Sequence, residues 1–270
     1  MLMPDQLEPA IELAQQWFGQ PIDAVRALGA GASNALFEVS ASKQRYYLRR
    51  YRRLRSDAVA RQHALIRHAR ARGIPTPLPL DVRGESWLQA PDGAIWAMFE
   101  AAEGAQVCKP ATHQQLRAAG HMLAALHGAL GDAAADALPT LRLAWDGPSW
   151  IERLERIRAR ILELPAPDAT DDWALRRVEA QQQWLADADC LHAYEPQHAP
   201  QLIHGDYQLD NLFFGAERVS GIIDWDNAAS MPRTYELARA CFFMCEMRPD
   251  DAAALVAGYQ ELSTLSASEL

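Results

Sequence analysis

The sequence predicts an α+β protein of two lobes. A small antiparallel five-stranded lobe with one helix spans residues 1–100, and a larger, mainly helical lobe spans 101–270. Three observations lead there. The first hundred residues hold five short runs rich in β-formers, divided by turn-forming residues. After Gly104 the apolar spacing changes to steps of three and four. The 270 residues are enough to bury a core in each lobe, and 49 % apolar with 23 % charged residues is globular composition, which excludes a disordered or fibrous chain.

The elements follow in order. Residues 5–18 predict an amphipathic helix, with Leu7, Ile11, Ala14 and Trp17/Phe18 on one face. Ala24–Leu28, Ala35–Val39 and Tyr46–Tyr51 predict a meander of three strands. Its first turn is the glycine-rich Gly29-Ala30-Gly31-Ala32-Ser33-Asn34, and its second is polar. Ser56–Arg72 has helical period, with Ser56 as the expected N-cap, and Gly73-Ile74-Pro75 ends it. Ser86–Gln89 and Ala94–Phe99 predict two more strands around Pro91-Asp92-Gly93, a hairpin signal. Beyond the boundary near 100–104, Leu116, Ala119, Leu123, Leu126 and Leu130 mark a helix over Gln114–Leu130. Trp150–Leu164, Trp173–Ala188, Thr234–Met247 and Asp251–Leu262 predict further helices. Short apolar pieces at 202–203, 212–214 and 221–223 lie between polar loops.

Several classes of protein are disfavoured. The N-terminus shows neither the basic nor the apolar region of a secretory signal, and no run approaches the roughly 18 apolar residues of a membrane span. A cytoplasmic location is expected. Of the four cysteines only Cys241 and Cys245 are close, with no partners at zinc-site spacing, so reduced, structural thiols are expected. The net charge of −9 argues against general nucleic-acid binding. That charge is uneven: the segment from Lys43 to Arg72 is +10 and the rest −19. The basic stretch carries no RNA-module signature and reads as a solvated face able to attract phosphate.

The densest chemistry lies in His204-Gly205-Asp206-Tyr207-Gln208-Leu209-Asp210-Asn211, followed by Ile222-Ile223-Asp224-Trp225-Asp226. An Asp, an Asn five residues later and an Asp after a short strand pair is the layout of kinase-type phosphoryl transfer. One Asp orients and deprotonates the attacking hydroxyl, while the Asn and second Asp hold Mg²⁺ against nucleotide phosphates. That reaction is mainly positioning plus charge neutralisation, and hard oxygen ligands suit Mg²⁺. By this reading Asp206 is the base, and Asn211 and Asp224 are the metal ligands.

His-Gly-Asp-x-x-x-x-Asn followed by Ile-Asp-Trp-Asp resembles the aminoglycoside phosphotransferase/choline kinase family of small-molecule kinases, which includes homoserine kinases of the same fold. The resemblance spans nearly the whole chain in order and implies a protein-kinase-like fold, ATP and Mg²⁺ as cofactors, and a small-molecule hydroxyl as acceptor. It implies that His204 braces the catalytic loop and Asp226 supports it. Gly29, Gly31, Ser33 and Asn34 would cover the phosphates, and backbone near Glu100–Ala102 would read adenine. His127, in Leu126-His127, matches a recurring Leu-His whose expected role is structural.

The third strand departs from the family pattern. Where the family places a phosphate-binding lysine, the sequence offers Arg49, which strand alternation sets opposite Leu48 and Arg50. Neither Lys43 nor Lys109 is placed to replace it. Gln62 stands where a helix Glu usually supports the lysine. An arginine is always charged and can bind phosphate bidentately, so it needs less help. Relatives usually continue for several helices further. A chain complete at Leu270 would have a smaller or more open acceptor pocket, or one closed by a partner chain.

The expected function is therefore phosphoryl transfer from ATP to a small-molecule hydroxyl, with no nucleic-acid or membrane partner. Two alternatives stand beside it: a nucleotide-binding regulatory protein with little turnover, and a metal-dependent hydrolase built on His204, Asp206, Asp224 and Asp226. Candidate acceptor residues are Asp210, Asp226, Tyr235, Glu236 and Trp150, and the acidic lobe suits a cationic acceptor.

Overall fold

The structure is a computed structural model that describes residues 7–19, 21–30, 34–51, 54–133, 138, 147–186 and 198–269. Gly31, Ser33 and Cys190 lie outside these residues, as does the side chain of Asn34. The chain forms two compact units, Met1–Thr140 with Ala199–Leu270, and Leu141–His198.

In the first unit, helix α1 (Leu7–Phe18) precedes strands β1 (Ala24–Ala30), β2 (Asn34–Ala41) and β3 (Gln44–Tyr51). Helix α2 (Ser56–Ala71) is inserted before β4 (Leu88–Gln89) and β5 (Ile95–Glu100). The five strands form one antiparallel sheet in the order β1-β2-β3-β5-β4. Alternation along β3 decides what each face does. Leu48 is fully buried with Phe37, Trp96 and Met98 beneath Ala10, Leu13 and Ala14 of α1. Arg49, paired with Leu36 and Ala97, points from the other face.

The next apolar spacing becomes α3 (His113–Gly131), which buries Leu116, Leu123, Leu126 and Leu130. Its N-cap is the capping box of Thr112 and Gln115. The short apolar pieces become two small sheets. Strand β6 (Gln201–Ile203) pairs with β9 (Ala229–Met231), and β7 (Leu212–Gly215) pairs with β8 (Arg218–Ile222). Helices α6 (Arg233–Cys245) and α7 (Pro249–Gln260) complete the unit. Packing of α3 against α7 is close: a Cβ on Gly120 would lie 1.9 Å from the Leu255 carbonyl oxygen, and one on Gly258 1.9 Å from that of Arg117.

The second unit holds α4 (Gly147–Leu162) and α5 (Ala169–Ala186), joined by Leu154, Val178 and Leu185. Among the described residues no helix is long and apolar enough to cross a membrane.

Two local expectations are corrected, and one strand was not anticipated. Ser56 is not the N-cap of α2: Arg55 holds that place in extended conformation without a side-chain cap, and Asp57 supplies first-turn negative charge, pairing with Arg55 and Arg61. The fourth strand is shorter than 86–89, because Val82 and Glu85 close a turn and the Ser86 hydroxyl is taken by His63 at 2.7 Å. Strand β9 had no apolar run to announce it and forms by pairing with β6.

Candidate active site

The loop His204–Asn211 leaves β6 through Gly205, whose φ of +81° lies in the left-handed region. A Cβ there would meet the Asn227 carbonyl oxygen at 1.9 Å, so only glycine fits. His204 is fully buried and uses both ring nitrogens. Nδ1 accepts from the Asp206 N–H at 3.3 Å, so Nε2 donates to the Ile223 carbonyl at 3.0 Å. Burial pushes the imidazole pKa down and outweighs the acids around it, so the ring is neutral. It ties the loop to the segment that carries Asp224. The Tyr207 hydroxyl donates to the Ala119 carbonyl at 2.8 Å and pins the loop to α3.

Asp206 and Asn211 are joined directly. The Asn211 side-chain NH₂ donates to the Asp206 carbonyl at 2.8 Å and to its carboxylate at 3.1 Å. That orientation leaves the Asn211 side-chain oxygen for a ligand. Asp224 follows β8 in left-handed conformation, with φ 63° and ψ 68°, a strained state for a non-glycine residue that recurs at functional sites. The next residue anchors it: Trp225 is buried, donates to the Thr76 hydroxyl at 3.1 Å and packs against the His204 ring. The Asp224 side chain is 41 % exposed, against 18 % for Asp226, so Asp224 is the more accessible carboxylate.

Arg49 reaches both acids, at 2.9 Å to Asp224 and 2.6 Å to Asp226. Burial by itself would lower its pKa, but Tyr51, Asp226 and Asp224 outweigh that and hold it above its ordinary value. The guanidinium also lies over the Tyr51 ring at 5.0 Å. Gln62 is connected to Arg49 through Asp226: it donates to the Asp226 carboxylate at 2.8 Å and accepts from the Tyr51 hydroxyl at 3.0 Å. A carbonyl and an NH₂ serve both neighbours there, which a carboxylate could not.

Arg49, Gln62 and Asp224 face a cleft of about 550 Å³. Leu28 and Leu36 line one side, Phe213, Ile222 and Ile223 the other, with Arg49, Asp224 and Phe99 inside. That is the size and apolar lining of a small-ligand site. At its hinge the Glu100 N–H is spent on the Leu78 carbonyl at 3.0 Å, whereas Ala102 lines the cleft with no backbone partner among the described residues. A larger open hollow of about 790 Å³ is lined by Arg45, Arg70, Gly73 and Glu103, away from Asp206.

Sequence reasoning placed Glu236 among acceptor residues, and the structure corrects this. Its carboxylate is fully buried and accepts from His127 Nε2 at 2.9 Å, the His204 N–H at 3.2 Å and the Gly205 N–H. His127 Nδ1 in turn meets the Tyr259 hydroxyl at 2.8 Å. The helix α6 thus clamps the loop from behind, and His127 belongs to that clamp. Asp226 is likewise engaged with Arg49 and Gln62, and Asp210 is exposed with its carbonyl bound to Gln106.

One residue at the site was missed altogether. Arg239, one turn beyond Glu236, places Nη2 3.3 Å from the Asp206 carboxylate. Its helical spacing from Glu236 was the only signal available in the sequence. Among the described residues no group of three or more His, Cys, Asp and Glu gathers to hold a metal, which counts against the hydrolase alternative.

The chain is similar to known proteins along most of its length. The model of a family described as "Phosphotransferase enzyme family" matches residues 24–268. The homoserine kinase of Phenylobacterium zucineum is 30 % identical over 274 residues, covering 95 % of this chain and 76 % of that protein. The homoserine kinase of Sinorhizobium fredii is 27 % identical, covering 92 % and 73 %. Among solved structures, spectinomycin phosphotransferase APH(9)-Ia in complex with ADP and spectinomycin is similar with a TM-score of 0.76 at 17 % identity, over 97 % of this chain and 82 % of that one. Amicoumacin kinase hAmiN, in complex with AMP-PNP and Ca²⁺, is similar with a TM-score of 0.66 at 17 % identity, over 98 % and 82 %.

Proposed function

The chain belongs to the phosphotransferase enzyme family, and from that premise we propose that it transfers the γ-phosphoryl group of ATP to the hydroxyl of a small molecule, with Asp206 as the base. The observation that supports this reading most is the meeting of Arg49 and Asp224 in one cleft, beside a loop on which Asn211 holds the Asp206 carboxylate. Asp206 accepts a hydrogen bond from the acceptor hydroxyl, aims it at the phosphorus and takes its proton as the new bond forms. Arg49 holds phosphate oxygens, and backbone of Gly29, Gly31, Ser33 and Asn34 covers them. The hinge at Glu100–Ala102 reads adenine.

Asn211 and Asp224 offer one amide and one carboxylate oxygen, a hard donor set that fits Mg²⁺ together with phosphate oxygens. When bound, Mg²⁺ neutralises phosphate charge. His204 and Asp226 orient these groups, and Gln62 orients Asp226. Residues 1–100 serve the nucleotide, and residues 101–270 carry the catalytic loop and the acceptor site. ATP supply places this chemistry in the cytoplasm.

Homoserine is the first acceptor to test, because the relatives that match over most of this chain are homoserine kinases. The regulatory alternative has one observation in its favour: Arg49 is already engaged by Asp224 and Asp226. ADP release in the presence of homoserine, with the phosphorylated product identified by mass, separates the two. Turnover lost in Asp206→Asn with AMP-PNP binding retained supports the kinase. Binding without product on any hydroxyl acceptor supports the regulatory protein.

A further inference from the structure

The cation beside Asp206 points to the kind of acceptor this site takes. Arg239 and Glu236 lie one turn apart on α6. Glu236 fixes that helix to the loop through the N–H groups of His204 and Gly205, so Arg239 is delivered beside Asp206 by a rigid element. Its guanidinium lies over the Phe243 ring at 4.9 Å and the Tyr235 ring at 5.8 Å, residues four places along the helix in either direction. Stacking leaves the in-plane N–H donors free to point outward. Among the described residues Asp206 is its one hydrogen-bond acceptor, through Nη2. The side chain is 31 % exposed, so the other donors are open to a ligand.

Nothing in proton removal from a neutral hydroxyl calls for an arginine at this place. A cationic acceptor would be repelled at the same place. An acceptor with a carboxylate a short carbon chain from its hydroxyl meets both groups: the hydroxyl at Asp206, the carboxylate on the open edge of Arg239. We infer that Arg239 is a specificity-determining residue that binds the carboxylate of a hydroxy-acid acceptor. This rests on the phosphotransferase reading above and narrows it. It also reverses the cationic acceptor suggested by the acidity of the helical lobe, because overall charge does not decide a pocket.

The test compares three acceptors that share one hydroxyl: homoserine, 4-hydroxybutyrate, which lacks the ammonium, and 3-aminopropanol, which lacks the carboxylate. With Mg·ATP, the wild type is expected to prefer both acids over 3-aminopropanol in kcat/KM. In Arg239→Ala that preference should fall about 10- to 100-fold, mainly through KM of the acids, with Arg239→Lys between the two. Preference for 3-aminopropanol in the wild type overturns the inference. So does an equal fall in kcat on all three acceptors in Arg239→Ala, which would place the guanidinium on the transferred phosphoryl group instead. Calorimetric binding of 4-hydroxybutyrate to the Mg·AMP-PNP complex repeats the comparison without turnover. Arg239-dependent binding without product would uphold this inference while overturning the kinase reading, and product without Arg239 dependence would do the reverse.

Discussion

Replacing Glu236 by Gln is expected to damage catalysis more than stability. The carboxylate sits at the back of the loop and touches no ligand position. Oε2 accepts from His127 Nε2 at 2.9 Å and the His204 N–H at 3.2 Å, and Oε1 accepts from the Gly205 N–H. Burial alone would push its pKa up. The hydrogen bonds from His127 and from the Gly205 N–H hold it below the usual glutamate range, so it is anionic at neutral pH. A glutamine has the same shape, but whichever way its amide is turned the NH₂ faces a backbone N–H. One buried donor is then unpaired and the remaining bonds lose their charge, at a cost of about 2–4 kcal/mol. In a chain of this size that lowers Tm by roughly 4–7 °C. His204 and Gly205 lead directly into Asp206, so a shift of the loop by about 1 Å costs about 100-fold in kcat. With Arg49 and the hinge proposed to hold the nucleotide, KM for ATP should stay near wild type. Steady-state ATP turnover with calorimetric melting reads both effects. A folded variant with kcat within threefold of wild type would refute the clamp, as would an ATP KM rising in step with the loss of kcat. His127→Ala removes one of the three donors and should have a smaller effect that is not additive with Glu236→Gln.

Three further outcomes follow from the same contacts. Gln62→Glu, although it introduces the residue usual in the family, should raise KM for ATP about tenfold or more, because it loses the donor to Asp226 and sets two carboxylates, one buried and one half-buried, face to face; an unchanged or lower KM in steady-state kinetics would show that Arg49 absorbs the extra charge. Gly205→Ala should abolish turnover and lower the melting temperature measured by calorimetry, since its Cβ has no room beside Asn227 and its φ is positive; wild-type activity would mean the loop adapts. The third outcome concerns pH. Burial, aided by Arg67 and Arg49, depresses the pKa of His63 to about 3, and burial likewise lowers that of His204. A histidine with a lowered folded-state pKa contributes stability that is complete above the unfolded value of about 6.5 and is lost as pH falls toward the folded value. Urea unfolding should therefore show stability declining below about pH 6.5, by roughly 2–5 kcal/mol at pH 4, with Glu236 adding to the loss only below the usual glutamate range. A flat profile from pH 7.5 to 5 would contradict the neutral state of both rings.

Legibility differed across the molecule for physical reasons. Strands β1, β2, β3 and β5 and helices α2 and α3 follow local period and turn residues, which are written in consecutive positions. Strand β9 and the shortened β4 do not, because pairing with β6 and the bond between Ser86 and His63 are long-range events. The role of Gln62 was half legible. Its place on the helix predicted a position near Arg49, but the connection through Asp226 depends on two segments about 160 residues apart in sequence meeting at one carboxylate.

The sequence alone pointed to the reaction type and to Asp206, Asn211 and Asp224 as the residues proposed to carry it. Phosphoryl transfer needs them on one short loop and the strand pair beside it, so their chemistry is encoded in spacing. It also determined the side of the sheet on which Arg49 stands, since alternation along a strand is a local property. Tertiary structure decided the state of those groups. Only folding brings Glu236, His127 and Tyr259 together behind the loop, and only the packing of α6 sets Arg239 beside Asp206. Burial then acts on these positions: it makes His204 neutral, and it leaves Glu236 without water so that the loop's own N–H groups must satisfy it. Desolvation belongs to a position in space and has no signature in the order of residues.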